Sequence, residues 1–527
     1  MSVQFKADFD PTAGTVLPVP YLESKTDEVK LERGRQLFVD DYLIEWNTFR
    51  RIWHPAEEYA YNPVLEPETE IELDHGEAPM AAPFNDGLWY DPQDRLYKLY
   101  YHAGWFHGTA LAISRDGIHW ERPDLGIVGH TNLVIPPRPG YERDGCLVWL
   151  DQHAEKKEER WKMFLFFRHP NGENGELRTS ADGIHWNFRE FTGDCGDNSS
   201  FFHDPFRKQW IFSVRCGFPS TGRARAWLPR SEFIAPPWKQ RQPDILNPDY
   251  PDPDMIPWAR ADELDPFEEE TQFRPQLYDL NAVPYESLLL GLFAIFHGPE
   301  NNNCELLACP KRIDLHPAFS RDGYHWSRPE ERIPLLRCTR KKGDWNRGYL
   351  HAAGGICLTF RDKLRFYHAG FSAKSNLGPG EKGSSSRGAY AMYAGASTGF
   401  AELRRDGFAS LHTDTEGILI TRPMIPNGRF LRINAAAETL RIEVLDRESR
   451  PVPGYSIVET VPFRGDSTSA QIRWKTRDTL PETSPIRLRF TMENGDLYSF
   501  WFTDDPDGKS GGYLAAGSED YSSDRDL

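Results

Sequence analysis

A seven-residue unit, Ser-x-Asp-Gly-x-His-Trp, constrains this chain more than any other feature, because it recurs. It stands at Ser114–Trp120, at Ser180–Trp186 and at Ser320–Trp326. One chain does not carry three copies of one active site, so the unit is structural. It reads as a strand, a tight turn at Asp-Gly whose glycine tolerates positive φ, and a return anchored by tryptophan. Strand-built repeats at intervals of tens of residues point to a β-propeller.

Measured from these copies, five units can be laid out. The first runs from His75-Gly76-Glu77 to Trp120 and the second from Arg143 to Trp186. The third runs from Asp194 to about Trp238, the fourth from Gln276 to Trp326 and the fifth from Gly348 to Ser397. Each shows about four strand signals, and continuous apolar runs such as Phe164–Phe167 and Leu288–Phe296 suit strands packed between neighbouring sheets. Past Leu403 the pattern changes to short alternating strands separated by roughly 10–20 residues, the pattern of a small β-sandwich. The expected fold is therefore all-β, a five-bladed β-propeller followed by a C-terminal β-sandwich. Residues 1–60 form an N-terminal arm and lead-in hairpin, 61–402 the propeller, 403–505 the sandwich and 506–527 a tail with little to pack. Residues 239–272 are expected to be a loop over one face, and 372–388 a Gly/Ser tract.

The charge balance excludes several functions. With 79 acidic against 62 basic residues the net charge is −17, and no block of Lys or Arg rises above that background. Neither a nucleic-acid nor a membrane partner is expected. The seven cysteines are odd in number and form no C-x-x-C pair, so they read as reduced thiols in a cytoplasmic protein. No zinc-protease, P-loop, Rossmann or G-x-S-x-G motif occurs. Aromatic residues, at 13% with 16 Trp, suit blade packing and also sugar faces.

In a propeller the starts of the innermost strands converge on one mouth, so residues remote in sequence meet there. The equivalent positions offer Asp74, His75 and Glu77, then Arg143 and Asp144, then Asp194, Asp197 and Asn198, then Gln276, Asp279 and Glu286, and last Arg347 and His351. Glycosidic hydrolysis needs one protonated carboxyl and one ionised carboxylate, which a crowded acidic mouth supplies. Glu77, Asp144 and Asp197 are the expected acid/base set. His75, Arg143, Asn198, Gln276, Asp279, Glu286 and His351 are expected to bind substrate, with Trp105 as a sugar platform. No cofactor is called for, and an axial Ca²⁺ held by carboxylates is the one metal for which the pattern leaves room. The expected partner is a short oligosaccharide, and oligomeric state is not legible in the sequence.

Acidic groups at the starts of successive inner strands, followed by turns such as Asp91-Pro92 and Asp204-Pro205, resemble the five-bladed propeller glycosidases of glycoside hydrolase families 32, 43 and 68. The added C-terminal region is similar to the family 32 arrangement. That resemblance implies a catalytic Asp in the first blade, an Asp in the second and a Glu in the third. Arg143-Asp144 fits the second position, with Gly145 where those families often have proline. The first falls on Glu77 or Asp74, and the third on Asp197, an Asp where Glu is the rule. The recurring unit is itself similar to the Asp-box of sialidases but one residue shorter, and five units rather than six argue against a sialidase. A non-catalytic glycan- or protein-binding propeller is the competing class. A phosphorylase is the third reading, and it should place Arg, Lys and His together at the mouth.

Overall fold

The computed structural model describes residues 10, 12–169, 172–238, 255–376 and 391–527. Nearly all regular structure is β, and no helix among the described residues is long and apolar enough to cross a membrane. From residue 80 the strands pair in five successive antiparallel units. The first comprises Met80–Asp91, Leu96–Ala103, Gly108–Ser114 and Leu133–Ile135. The second comprises Glu142–Leu150, Trp161–His169, Gly172–Ser180 and Asn187–Asp194. The third comprises Ser200–Asp204, Gln209–Phe218, Gly222–Arg230 and Ile256–Arg260. Gln276–Glu286, Leu288–Phe296 and Ile313–Ser320 form the fourth, extended by bridges to Ser327 and Leu336. Gly348–Thr359, Lys363–Phe371 and Ala396–Arg404 form the fifth.

The first strands of these units approach one another. Asn85 of the first lies in parallel register with Cys146 of the second and with Ala353 of the fifth. Met80–Asp91, Gly348–Thr359 and Leu288–Phe296 are buried along their whole length, because each is covered on both faces.

The recurring unit is a staple between neighbouring units. Asp182 Oδ1 accepts from Ile184 N and His185 N at 2.8 and 2.9 Å, and Ser180 Oγ accepts from Gly183 N at 3.0 Å. The same bonds recur at Asp116 and Asp322, so the three aspartates are turn residues. The Gly183 carbonyl accepts from Tyr100 of the preceding unit, whose hydroxyl would lie 2.2 Å from a Cβ at that position. With φ at +78°, Gly183 is required both for the turn and for that approach.

Several expectations are corrected. The N-terminal segment expected to form a hairpin leading into the first unit instead joins the C-terminal sheet, where Ile44–Asn47 and Arg50–Trp53 lie one after the other along Ala409–Thr421. Glu57–Glu58 then supplies the outer strand of the fifth unit, joining the two ends of the array and covering an edge that would otherwise be open. The strands past Leu403, expected to be short, include two long ones, Phe430–Leu445 and Arg487–Thr503. With Ala409–Thr421, Phe463–Gln471 and the N-terminal strands they form a seven-stranded sheet. Its core is its own, with Leu431, Ile442, Phe490 and Phe500 packed with Phe38. The C-terminal tail packs after all: Tyr513–Leu514 pairs with Tyr285–Glu286, and Leu514, Ala515 and Ala516 are buried. Part of the expected loop, Ile256–Arg260, is the outer strand of the third unit. Residues 239–254 of that loop, and 377–388 of the Gly/Ser tract, lie outside the described residues.

Candidate active site

The second unit brings Asp144 forward from its inner strand, and the turn before the third brings Asp197. Arg168, on the next strand of the second unit, joins them. Its Nη2 lies 2.7 Å from Asp144 Oδ2 and 2.8 Å from Asp197 Oδ2, so one guanidinium nitrogen bridges the two carboxyls. Arg168 Nε also donates to Asp144 Oδ2 at 2.7 Å, and Asp144 Oδ1 is buried without a hydrogen-bond partner.

Asp197 has further partners, Arg215 at 2.9 Å and Arg223 at 3.4 Å. These come from one hairpin. Arg215 pairs in register with Arg225, and Gly217 with Arg223, so alternation puts all three arginines on one face of the sheet. Gly196 makes room for them, since a Cβ there would meet Arg215 Cδ at 2.6 Å. Burial pushes the Asp197 carboxyl up, but Arg223, Arg215 and Arg168 outweigh it and hold the group well below the usual carboxylate range. Asp279 behaves oppositely. Burial pushes it up to about 6 against the pull of Arg225, and its Oδ1 has no partner.

A phenol cluster faces these charges. Tyr278 and Tyr349 share a hydrogen bond of 2.7 Å, and Lys311 Nζ donates to Tyr278 at 3.0 Å. Arg223 lies 4.7 Å over the Tyr278 ring. Burial raises Tyr349 and Tyr393 well above the ordinary phenol value, so both are neutral donors. His351 is fully buried with neither ring nitrogen partnered, and burial, aided by Lys311, pushes it down to about 3. Both side-chain amide atoms of Asn198 are also unpartnered.

Of the residues expected from sequence, Asp144, Asp197, Asp279 and His351 share this electrostatic neighbourhood, Asn198 adjoins Asp197 in the chain, and Gln276 accepts from Arg223 N at 3.1 Å. Others fall elsewhere. Glu286 ends the strand that Gln276 begins, roughly 30 Å away at ordinary strand rise. There it binds Arg405 at 2.7 Å and Ser510, a structural junction rather than a substrate contact. The cavity of about 830 Å³ beside this junction includes Arg35, Arg405 and Asp526 in its lining. Arg35 and Arg405 are engaged there in ion pairs with Glu286 and Asp406. Arg143 is buried against Asp86, with Thr109 at 3.1 Å, and neutralises a carboxyl that burial pushes up to about 6. Trp105 is 3% exposed and stacks on Tyr393 at 4.0 Å, so it backs the phenol rather than offering a sugar platform. His75 is exposed in the turn Asp74–Gly76, and Glu77 is half-buried just after it.

Sequence reasoning missed Arg168, Arg223, Arg225, Lys311 and the tyrosines. The signal for two of them was present in Arg223-Ala224-Arg225-Ala226, whose alternation puts both arginines on one side of a strand. One set of possible metal ligands lies together among the described residues: His297, just after the second strand of the fourth unit, with Asp314 and His316 on its third.

No family model matches the chain, and no curated protein matches it. Solved structures do align. An N-acetylgalactosamine deacetylase from F. plautii, in complex with blood group B trisaccharide, aligns over 68% of this chain and 96% of its own at 12% identity, with a TM-score of 0.43. An exo-β-1,3-galactanase from Phanerochaete chrysosporium, with galactose, covers 80% of this chain and 96% of its own at 10% identity and TM-score 0.35. A fructofuranosidase from Schwanniomyces occidentalis, complexed with fructosylnystose, covers 85% and 98% at 12% identity and TM-score 0.36. The structural neighbours thus include glycoside hydrolases, the class that the sequence resembles, at a likeness too low to assign an activity.

Proposed function

We propose that the chain is a glycoside hydrolase that removes a terminal sugar from a short oligosaccharide at the mouth where the inner strands converge. The five units are read as the blades of a propeller within 61–402, with the C-terminal sheet as an appended sandwich-type domain over 403–505. The outer strand at 57–58 and the packed 506–527 segment belong to the body rather than to free arms.

The observation that carries the reading is the opposite fate of two carboxyls in one neighbourhood. Asp197 is held ionised by three arginines, and Asp279 is pushed towards the neutral form. Carboxyls whose environments separate their pKa values divide naturally into base and acid. Asp197 is the ionised member, acting on the anomeric centre or its water, and Asp279 donates the proton to the leaving oxygen. This departs from the sequence expectation, in which Glu77, Asp144 and Asp197 formed the acid/base set with no division of roles among them. Asp144 and Asp197 share the Arg168 guanidinium, which holds the two carboxyl groups in place. Glu77 is assigned to the rim of the mouth, and Tyr393 and Asn198 to sugar hydroxyls.

The test is turnover of a panel of chromogenic glycosides by the purified protein, alongside Asp197→Asn and Asp279→Asn. Loss of at least about 100-fold in each folded variant supports the roles. Full activity in both on a substrate that the parent cleaves would falsify them.

A further inference from the structure

Among the described residues, five cationic side chains gather at the proposed glycosidase site against three aspartates. Arg168, Arg215, Arg223, Arg225 and Lys311 surround Asp144 and Asp197, with Asp279 pushed towards neutrality. In a chain of net charge −17, that local surplus is a specific construction.

Arg225 is the telling member. It is 0% exposed, and none of its three guanidinium nitrogens has a hydrogen-bond partner. A buried cation is costly unless paired and hydrogen-bonded, and a guanidinium presents a fork that matches a carboxylate or phosphate. Its charged neighbours are Asp279, Arg215 and Asp197, so it lies in the same neighbourhood as the arginines that hold Asp197. His351 and Asn198, both 0% exposed, add unpartnered polar atoms around that neighbourhood. Lys311 and the Tyr278 hydroxyl supply further donors.

We infer that this cationic floor is an oxyanion subsite, and that the substrate class is an acidic glycan whose terminal sugar carries a carboxylate, with Arg225 its direct partner. The inference rests on the glycosidase reading for the sugar but not for the anion. The same donors suit a free oxyanion such as inorganic phosphate, and the cluster of Arg, Lys and His is the mark expected of a phosphorylase.

The experiment is calorimetric titration of the full chain with glucuronate and galacturonate, with glucose and galactose as neutral controls, and separately with phosphate against chloride at matched ionic strength. An acidic sugar bound at least tenfold more tightly than its neutral parent, with that ratio lost in Arg225→Met and partly kept in Arg225→Lys, supports a substrate carboxylate. Phosphate binding that Arg225→Met removes, with no preference for acidic sugars, assigns the same subsite to a free oxyanion. The inference is overturned if neither anion binds better than its control. It is equally overturned if Arg225→Met, folded by circular dichroism, binds them as the parent does. Should Arg225→Met fail to fold, the titrations of the parent chain decide. Anion binding without turnover of any glycoside refutes the hydrolase reading and leaves the subsite standing.

Discussion

Asp197→Asn is the most informative single change, because its cost can be worked from the contacts. The substitution keeps the shape but removes a buried charge that is 2.8, 2.9 and 3.4 Å from three guanidinium groups. Removing one partner of a buried pair costs about 3–5 kcal/mol, because the remaining charge stays desolvated. With an unfolding entropy of about 2.1 cal/mol/K per residue over roughly 340 residues, that is a fall of about 4–7 °C in melting temperature. The pH dependence follows from the direction of the shift. The folded carboxyl is depressed, so its contribution is present above the unfolded value near 4 and is lost as pH falls through the folded value. The difference between parent and variant, read by differential scanning fluorimetry, should be constant from about pH 5 to 8 and shrink below about pH 4. A double variant with Arg223→Met should recover part of the loss, since one uncompensated cation goes with it. A melting temperature within about 1 °C of the parent at pH 7 would show that Asp197 does not neutralise the cluster, and the assignment of an ionised carboxylate there would fall.

Asp144→Asn should lower the melting temperature less than Asp197→Asn does, because Arg168 keeps Asp197 as a partner; equal losses of stability would contradict this. If protonated Asp279 is the acid, activity should fall as pH rises through about 6, and Asp279→Asn should abolish that limb of the profile; an unchanged limb removes it from the role. Asp322→Ala should cost about 1–3 kcal/mol through the lost turn hydrogen bonds while kcat stays at the parent value, and a loss of kcat in the folded variant would mean that the recurring unit does more than staple. Glu286→Gln should likewise lower the melting temperature and leave KM unchanged, since Glu286 holds Arg405 and Ser510 far from the mouth.

The sequence by itself determined the repeat. Ser-x-Asp-Gly-x-His-Trp encodes its own turn, because Asp and Ser bond to main-chain amides two or three residues away and glycine takes positive φ. Such local chemistry is legible without a fold, and its three copies, with the strand signals between them, were enough to lay out five strand units and to single out Asp144, Asp197, Asp279 and His351 as candidates. The long C-terminal strands were read as short ones, because polar and small residues at 434–439 and 493–496 interrupt the apolar pattern without interrupting the pairing. Only the tertiary structure decided which ionisable residues share a site. Glu286 and Gln276 lie on one strand, yet one meets Arg405 and the other the backbone of Arg223. Arg168, Arg225 and Lys311 come from different units, and Arg168 and Lys311 carry no local signal. Their meeting depends on how neighbouring units pack. So do the charge states, since burial and three guanidinium groups drive Asp197 and Asp279 in opposite directions although both are aspartates near the starts of inner strands.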